Sequence, residues 1–162
     1  MKNIDEKFVG INQLNLAQEA GLEKFRQWAA DHDWSAFHSN HYDWWMFPIS
    51  APSSMGFAYV VYESEVAELL AIPGFRERHS EGAILLLKSW GWDSETNSLI
   101  PNPESGQAWS NWPIRLYKCA ESMKLFGQTV MYESCLAFAR HLKSQGISFV
   151  YNNRDLAQEL GI

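Results

Sequence analysis

One stretch of the chain concentrates side chains that could bind a ligand or do chemistry: His41-Tyr42-Asp43-Trp44-Trp45-Met46-Phe47-Pro48. Trp44 and Trp45 are adjacent, so in helical or extended geometry they cannot both face the same way. We expect one ring in the core and the other at a second apolar surface or a pocket. The chain has eight tryptophans, more than one interior of this size is expected to hide, so some should border a recess.

Metal binding is the first chemistry to consider for this stretch. His38, His41 and Asp43 have the side-chain types of metal ligands, and two histidines three positions apart can face one ion. No distant pair of residues offers an obvious third and fourth ligand. Loop residues that satisfy backbone groups and pack on rings explain the same pattern, so we expect no metal.

Motifs for covalent or cofactor chemistry are missing. Ser53, Ser54 and Gly56 lack the strand–turn–helix context of a nucleophile elbow. Cys119 and Cys135 lie on inward helical stripes, which does not favour an activated thiolate. No glycine-rich phosphate-binding motif is present. We expect no cofactor, and the question of whether the chain is an enzyme stays open.

A set of charged residues offers a ligand-binding alternative: Arg76, Arg78, Glu81 and Lys118. A solvated helix face with ordinary ion pairs accounts for them. Alternatively, one arginine turns toward the aromatic stretch, where arginine suits carboxylate or phosphate and tryptophan suits planar rings or cations. His79 lies on an apolar stripe and is interpreted as a satisfied core histidine rather than a catalyst.

The elements that must position these residues are mainly helical. Residues 1–14 form an irregular lead-in, 32–57 have no clear period and 92–111 form a polar surface loop. Apolar spacing and capping residues predict helices at 16–31, 66–71, 74–90, 113–126, 130–144 and 154–160, capped in three cases by Asn15, Asn111 and Asn153. Short strands are considered at 59–62 and 147–151. We therefore predict a mainly α, compact single domain over residues 1–162 with at most a small strand element.

Several segments resemble the DUF1810 family of small bacterial proteins. Trp45-Met46-Phe47-Pro48 is similar to the family's tryptophan-rich motif that ends in Phe-Pro. The likeness continues through Gly56, Tyr59, 65–70, Pro73, Arg78 and Glu81, and resumes at Lys118 and 122–126. The resemblance implies a compact helical domain in which Trp45, Lys118 and Ser122 lie close together, and it implies no activity. The combined candidate ligand-binding residues are His41, Asp43, Trp44, Trp45, Tyr59, Arg76, Arg78, Lys118 and Ser122.

Composition limits the class of protein and partner. The formal net charge is −6, which argues against a nucleic-acid footprint. No signal peptide or membrane-length apolar run is found, so we expect a cytoplasmic protein with reduced thiols. Residues 15–22 and 155–162 resemble each other and the second helix of a helix-turn-helix unit, which leaves DNA binding as a minor alternative.

Two functions follow from the sequence. The first is the binding of a small polar or planar ligand in an aromatic-walled pocket, formed by residues 38–59 with an arginine or Lys118. The second is a protein-interaction or regulatory module that uses exposed tryptophans. The expected partners are a small molecule or a protein, with no nucleic acid and no membrane.

Overall fold

The computed structural model describes residues 1–162 and is mainly α-helical, which confirms the predicted fold class. Two antiparallel pairs of short strands accompany the helices: β1 (Trp92–Asp93) with β2 (Ser98–Leu99), and β3 (Val150–Tyr151) with β4 (Arg154–Asp155). None of the helices combines the length and the apolar character needed to span a bilayer. The helices are α1 (Ile11–Ala30), α2 (Trp34–Ser39), α3 (Asp43–Met46), α4 (Glu63–Leu70), α5 (Phe75–Ser89), α6 (Pro113–Leu125), α7 (Thr129–Ser144) and α8 (Leu156–Leu160).

The first helix begins earlier than predicted. It starts at Ile11 after Gly10, which has a φ of 93° that favours glycine. Asn15 was predicted to cap this helix and instead lies inside it. Its side-chain oxygen accepts a hydrogen bond of 2.6 Å from Arg78 on α5 and does not cap the backbone of α1.

Residues 32–57 contain two helices that the sequence pattern did not reveal, because six and four residues are too few to establish a helical period. The strand considered at 59–62 is absent. Val60 and Val61 are both buried, at 3% and 0% exposure, so their β-branched side chains reflect burial in this turn segment and not sheet pairing.

The segment 92–111, predicted as a polar surface loop, is largely exposed but contains a hairpin and buried contacts to the helices. Trp92 is buried and begins the β1–β2 hairpin. The carboxylate of Glu104 accepts a hydrogen bond from the indole of Trp34 at 2.8 Å, and the buried amide of Gln107 donates to the carbonyl of Lys88 at 2.9 Å. These contacts attach the segment to α2 and α5.

A second hairpin replaces the single strand considered at 147–151. Asn152 and Asn153 have φ values of 48° and 63°, the backbone of a two-residue turn that closes antiparallel strands. Asn153 therefore serves the turn and does not cap the last helix. Asp155 caps α8 by accepting a hydrogen bond from the backbone of Gln158.

The core is rich in aromatic rings and fixes the position of α3. A large buried cluster includes Phe25, Phe37 and Phe47. Met46 lies between two glycines: a Cβ at Gly21 on α1 would overlap the sulfur of Met46, and one at Gly82 on α5 would lie 3.2 Å from its terminal carbon. The glycine that weakens helix propensity in α1 thus leaves room for the end of α3.

Candidate functional site

A buried ionic cluster joins α3 to α6. Arg115 Nε donates a hydrogen bond of 3.1 Å to Oδ1 of Asp43, and Lys118 Nζ lies 3.7 Å from Oδ2 of the same carboxylate. Arg115 and Lys118 are three residues apart on α6, so they project toward the same side of the helix. Their side chains are only 2% and 8% exposed, which makes the charges costly unless they are well compensated.

Arg115 is an anchor for residues 37–43. Its guanidinium donates to the carbonyls of Phe37 at 2.7 Å and Asn40 at 2.9 Å, and to the hydroxyl of Tyr42 at 3.2 Å. The same group lies 4.4 Å from the centre of the Tyr42 ring. Burial raises the pKa of Tyr42 above its ordinary value, so this phenol stays neutral. Arg115 therefore has its donors directed at protein acceptors and positions Asp43.

Lys118 is less completely bound. Asp43 is its one carboxylate partner within 4 Å, and its ammonium lies 5.2 Å from the centre of the Trp44 ring. Burial lowers the pKa of Lys118, Asp43 opposes that shift, and Arg115 adds to the lowering. With Arg115 and Lys118 both charged, two cations share the single carboxylate of Asp43, which leaves one net positive charge at this place in an acidic protein.

The cluster forms the floor of a cleft of about 550 Å³. One wall is α3 with residues 49–54, the second is α6, and the third is the β3–β4 hairpin. Trp44 and Trp112 provide aromatic surface, and His41 lies between them with ring centroids at 6.0 and 6.4 Å. The volume and the mixture of rings with a few polar groups are typical of a small-molecule site.

Arg154 and Tyr151 bring the second hairpin to the cleft. The guanidinium of Arg154 donates to Glu159 at 2.7 Å and lies 5.3 Å from the centre of the Tyr117 ring. Glu159 compensates the charge of Arg154. Arg115 and Arg154 both donate hydrogen bonds to protein acceptors, whereas Lys118 has only its 3.7 Å contact with Asp43. Lys118 is therefore the cation of the cleft that is most available to bind an added negative group.

Four of the predicted ligand-binding residues meet at this cleft: His41, Asp43, Trp44 and Lys118. Trp45 faces a separate groove of about 290 Å³ beside α1, together with Tyr59, and their ring centroids are 5.7 Å apart. Tyr59 also lines a small pocket of about 10 Å³ that reaches Lys118. The two adjacent tryptophans thus serve two different recesses, and neither is a fully buried core residue.

Arg76 and Arg78 lie outside the cleft, so the expectation that an arginine of α5 turns toward the aromatic stretch is wrong. Arg76 donates to the carbonyl of Gly127 at 3.1 Å, just past the end of α6. Arg78 donates to Gln18 at 2.9 Å and to Asn15. The first turns of α5 pack against α1 and the end of α6, so both guanidinium groups find acceptors there.

Ser122 is also directed away from the cleft. Its hydroxyl lies 2.9 Å from Nε2 of His79, and both residues are buried. Ser122 follows Lys118 by one helical turn, but the structure assigns it to the packing of α6 on α5. His79 is a satisfied core histidine as predicted, and burial lowers its pKa to about 3.

The residues considered for a metal site do not point toward a common centre. His38 stacks on Trp90 with ring centroids 6.4 Å apart, and its Nε2 lies 3.2 Å from the carbonyl oxygens of Ser89 and Gly106. Asp43 is held by Arg115. The structure contains no group of three or more histidine, cysteine, aspartate or glutamate side chains placed to hold a metal ion.

Arg115 is the residue that sequence reasoning missed. It lies four positions before Cys119 and eight before Met123, so it belongs to the inward stripe of α6. A charged residue on such a stripe signals a buried ionic partner. Its partner Asp43 is 72 positions away in the chain, and no local pattern identifies it.

Comparisons with known proteins do not identify a function for this chain. No protein-family model, curated protein or solved structure matches the chain. The resemblance to the DUF1810 family therefore stays a prediction. The function is therefore inferred from the charges and the aromatic walls of the cleft.

Proposed function

We propose that the protein binds a small planar ligand with a negative charge in the cleft between α3, α6 and the β3–β4 hairpin. The observation that carries this proposal is the pairing of two buried cations, Arg115 and Lys118, with the single carboxylate of Asp43. A bound carboxylate or phosphate would balance the remaining positive charge in a place where water provides little screening.

The shape of the cleft supports a planar ligand. Trp44 and Trp112 both line the cleft, with ring centroids 6.0 and 6.4 Å from that of His41. A flat ligand can stack on an indole while its anionic end reaches Lys118, whose ammonium is already within 5.2 Å of the Trp44 ring centre. Asp43, which Arg115 holds in position, attracts the Lys118 ammonium and leaves it able to bind a second negative group.

The alternative functions receive less support. An interaction module with exposed tryptophans needs those rings at the surface, and each of the eight is buried or half-buried. For DNA binding, the first helix-turn-helix-like segment lies inside the 20-residue helix α1, so no turn and no separate recognition helix directly follow it.

Two further assignments belong with this proposal. Cys119 and Cys135 are buried and unpaired, with their sulfurs 3.8 Å apart, which supports a reducing, cytoplasmic location. We also propose that the chain is a divergent relative of the DUF1810 family. Lys118 contacts Asp43 and Trp44, which directly precede the Trp45–Pro48 segment that resembles the family, and this supports the proposal.

A thermal-shift screen with metabolites, nucleotides and metal ions tests the function, with benzoate and its neutral isostere benzamide as a defined pair. A ligand at one hundred times its Kd adds about 2.7 kcal/mol to the free energy of unfolding, which corresponds to roughly 5–10 °C in Tm. We expect stabilisation by planar anions and a weaker response to benzamide. A screen in which no anion raises the Tm would refute the proposal.

Lys118→Met assigns the response to the cleft. The variant should keep or raise the free energy of unfolding, because an apolar chain of similar length replaces a buried cation while Asp43 keeps its bond to Arg115. It should lose the response to anions. Lys88→Met is the matched control, since Lys88 also lies over an indole, that of Trp34 at 5.8 Å, but is exposed and outside the cleft. A large loss of stability in Lys118→Met would make Lys118 a structural partner.

A further inference from the structure

Lys118 differs from every other lysine of the chain. Six of the seven lysines are exposed, and Lys118 alone is buried. A buried lysine is expected to serve as the partner of a buried acid. Asp43 already has that partner in Arg115, which binds it at 3.1 Å. Charge compensation therefore does not account for the second cation.

The position of the Lys118 amine suits a reaction with a bound ligand. The residue lines both the main cleft and the small adjoining pocket. The indole of Trp44 covers one side, Asp43 lies 3.7 Å away on another, and no further carboxylate lies within 4 Å. A desolvated lysine beside a second cation is the setting in which a side-chain amine becomes a nucleophile.

We propose, building on the anion-binding function above, that Lys118 forms an imine with a planar anionic aldehyde or ketone bound in the cleft. The ligand class follows from the site. In this complex the carbonyl group, and not the negative group, lies next to the Lys118 amine. The flat ring stacks on Trp44, and the negative group stays elsewhere in the cleft, where the excess positive charge of the cluster still attracts it. Asp43 acts beside the amine as the group that accepts and returns a proton.

The reaction balances without an oxidant or reductant. The Lys118 ammonium gives a proton to Asp43, and the lone pair of Nζ forms a bond to the carbonyl carbon. The carbonyl π electrons move to oxygen, which takes one of the two protons still on Nζ and becomes the hydroxyl of a carbinolamine. Asp43 returns its proton to that hydroxyl, the C–O bond breaks, and water leaves. The protonated imine keeps the positive charge of the original ammonium, so the charge balance with the anionic ligand is preserved.

The protonation of Lys118 supports this chemistry. Burial lowers the pKa of Lys118 and the nearby Arg115 lowers it further, while Asp43 acts in the opposite sense. The net shift is downward, so more of this amine is neutral at pH 7 than for an exposed lysine.

Trapping with a hydride donor tests the inference. The full-length protein is incubated at pH 7 with 4-formylbenzoate and sodium cyanoborohydride, which reduces an imine to a stable secondary amine, and the modified lysine is located by peptide mass spectrometry. We expect modification of Lys118 at least about tenfold faster than of Lys88, because a bound aldehyde is held next to the amine. Equal labelling of Lys118 and the exposed lysines would overturn the inference.

Lys118→Arg and 4-methylbenzoate separate the imine from simple binding. The variant has no amine at position 118, so 4-formylbenzoate should leave no adduct there, while the exposed lysines are labelled as in the wild type. Binding of 4-methylbenzoate, which has no aldehyde to react with the amine, is measured in the wild type. In the wild type, 4-methylbenzoate should slow the labelling by competition. Binding of 4-methylbenzoate without any Lys118 adduct from the aldehyde would refute the imine and leave the proposed binding function in place. Absence of binding by both compounds would refute both proposals.

Discussion

The buried histidine of α5 should make the stability of this protein depend on pH in a predictable way. His79 is 1% exposed, and its Nε2 lies 2.9 Å from the Ser122 hydroxyl. Burial first, and the charge of Arg76 second, lower the pKa of His79 to about 3 in the folded protein. The amide of Gln128 lies 3.5 Å from Nδ1, and no carboxylate is within ion-pair distance to stabilise an imidazolium.

The size of the effect follows from proton linkage. An unfolded histidine has a pKa of about 6.5, so above that pH both states hold a neutral ring. As the pH falls below 6.5, the unfolded chain binds a proton that the folded chain does not, and the free energy of unfolding decreases until the folded pKa near 3 is reached. Between pH 7 and pH 5 the expected loss from His79 is about 2 kcal/mol, or roughly 4–8 °C in Tm.

Replacement of His79 by glutamine isolates this contribution. Glutamine does not titrate, and its amide can still donate a hydrogen bond toward Ser122. Urea denaturation of the wild type and His79→Gln at pH 7 and pH 5 gives four free energies of unfolding, and the decrease from pH 7 to pH 5 should be about 2 kcal/mol smaller in the variant. His141→Gln is the control, since His141 is half-buried on α7 beside Trp92. An identical decrease in wild type and His79→Gln would refute the reasoning.

Three further predictions concern residues that hold the helices in place. Arg115→Met should lower the free energy of unfolding by about 3–5 kcal/mol in urea, because Asp43 and two backbone carbonyls lose their buried hydrogen-bond donor, although Lys118 still faces the carboxylate; a loss below about 1 kcal/mol would mean that the ionic cluster does not hold α3. Gly21→Ala should destabilise by about 1–3 kcal/mol, because its Cβ would overlap Met46; a gain in Tm, as helix propensity alone predicts, would contradict that packing. Asp155→Ala should cost about 1 kcal/mol through the lost cap of α8, seen as faster amide exchange in 156–160, and unchanged exchange there would exclude the cap.

The sequence by itself determined the helical class and the inward faces of the longer helices. In α6, Cys119 was predicted to lie on an inward stripe, and the structure buries it at 0% exposure together with Leu116 and Met123, which lie three positions before it and four after it. Such periodicity is a local property, because residues three or four apart share one face of any helix. The crowding of rings at 41–48 likewise predicted a recess beside the tryptophans, and Trp44 and Trp45 each line one.

Only the tertiary structure decided which charges meet. Asp43 and Arg115 are 72 residues apart. Arg76 and Arg78, one of which was considered as a partner of the aromatic stretch, bind the end of α6 and the side of α1 instead. Local sequence limits which side chains share a face, but the packing of α3 and α5 against α6 determines which acceptor each cation reaches. Long polar side chains pair with whatever lies within a few ångströms, and that is set by distant segments of the chain.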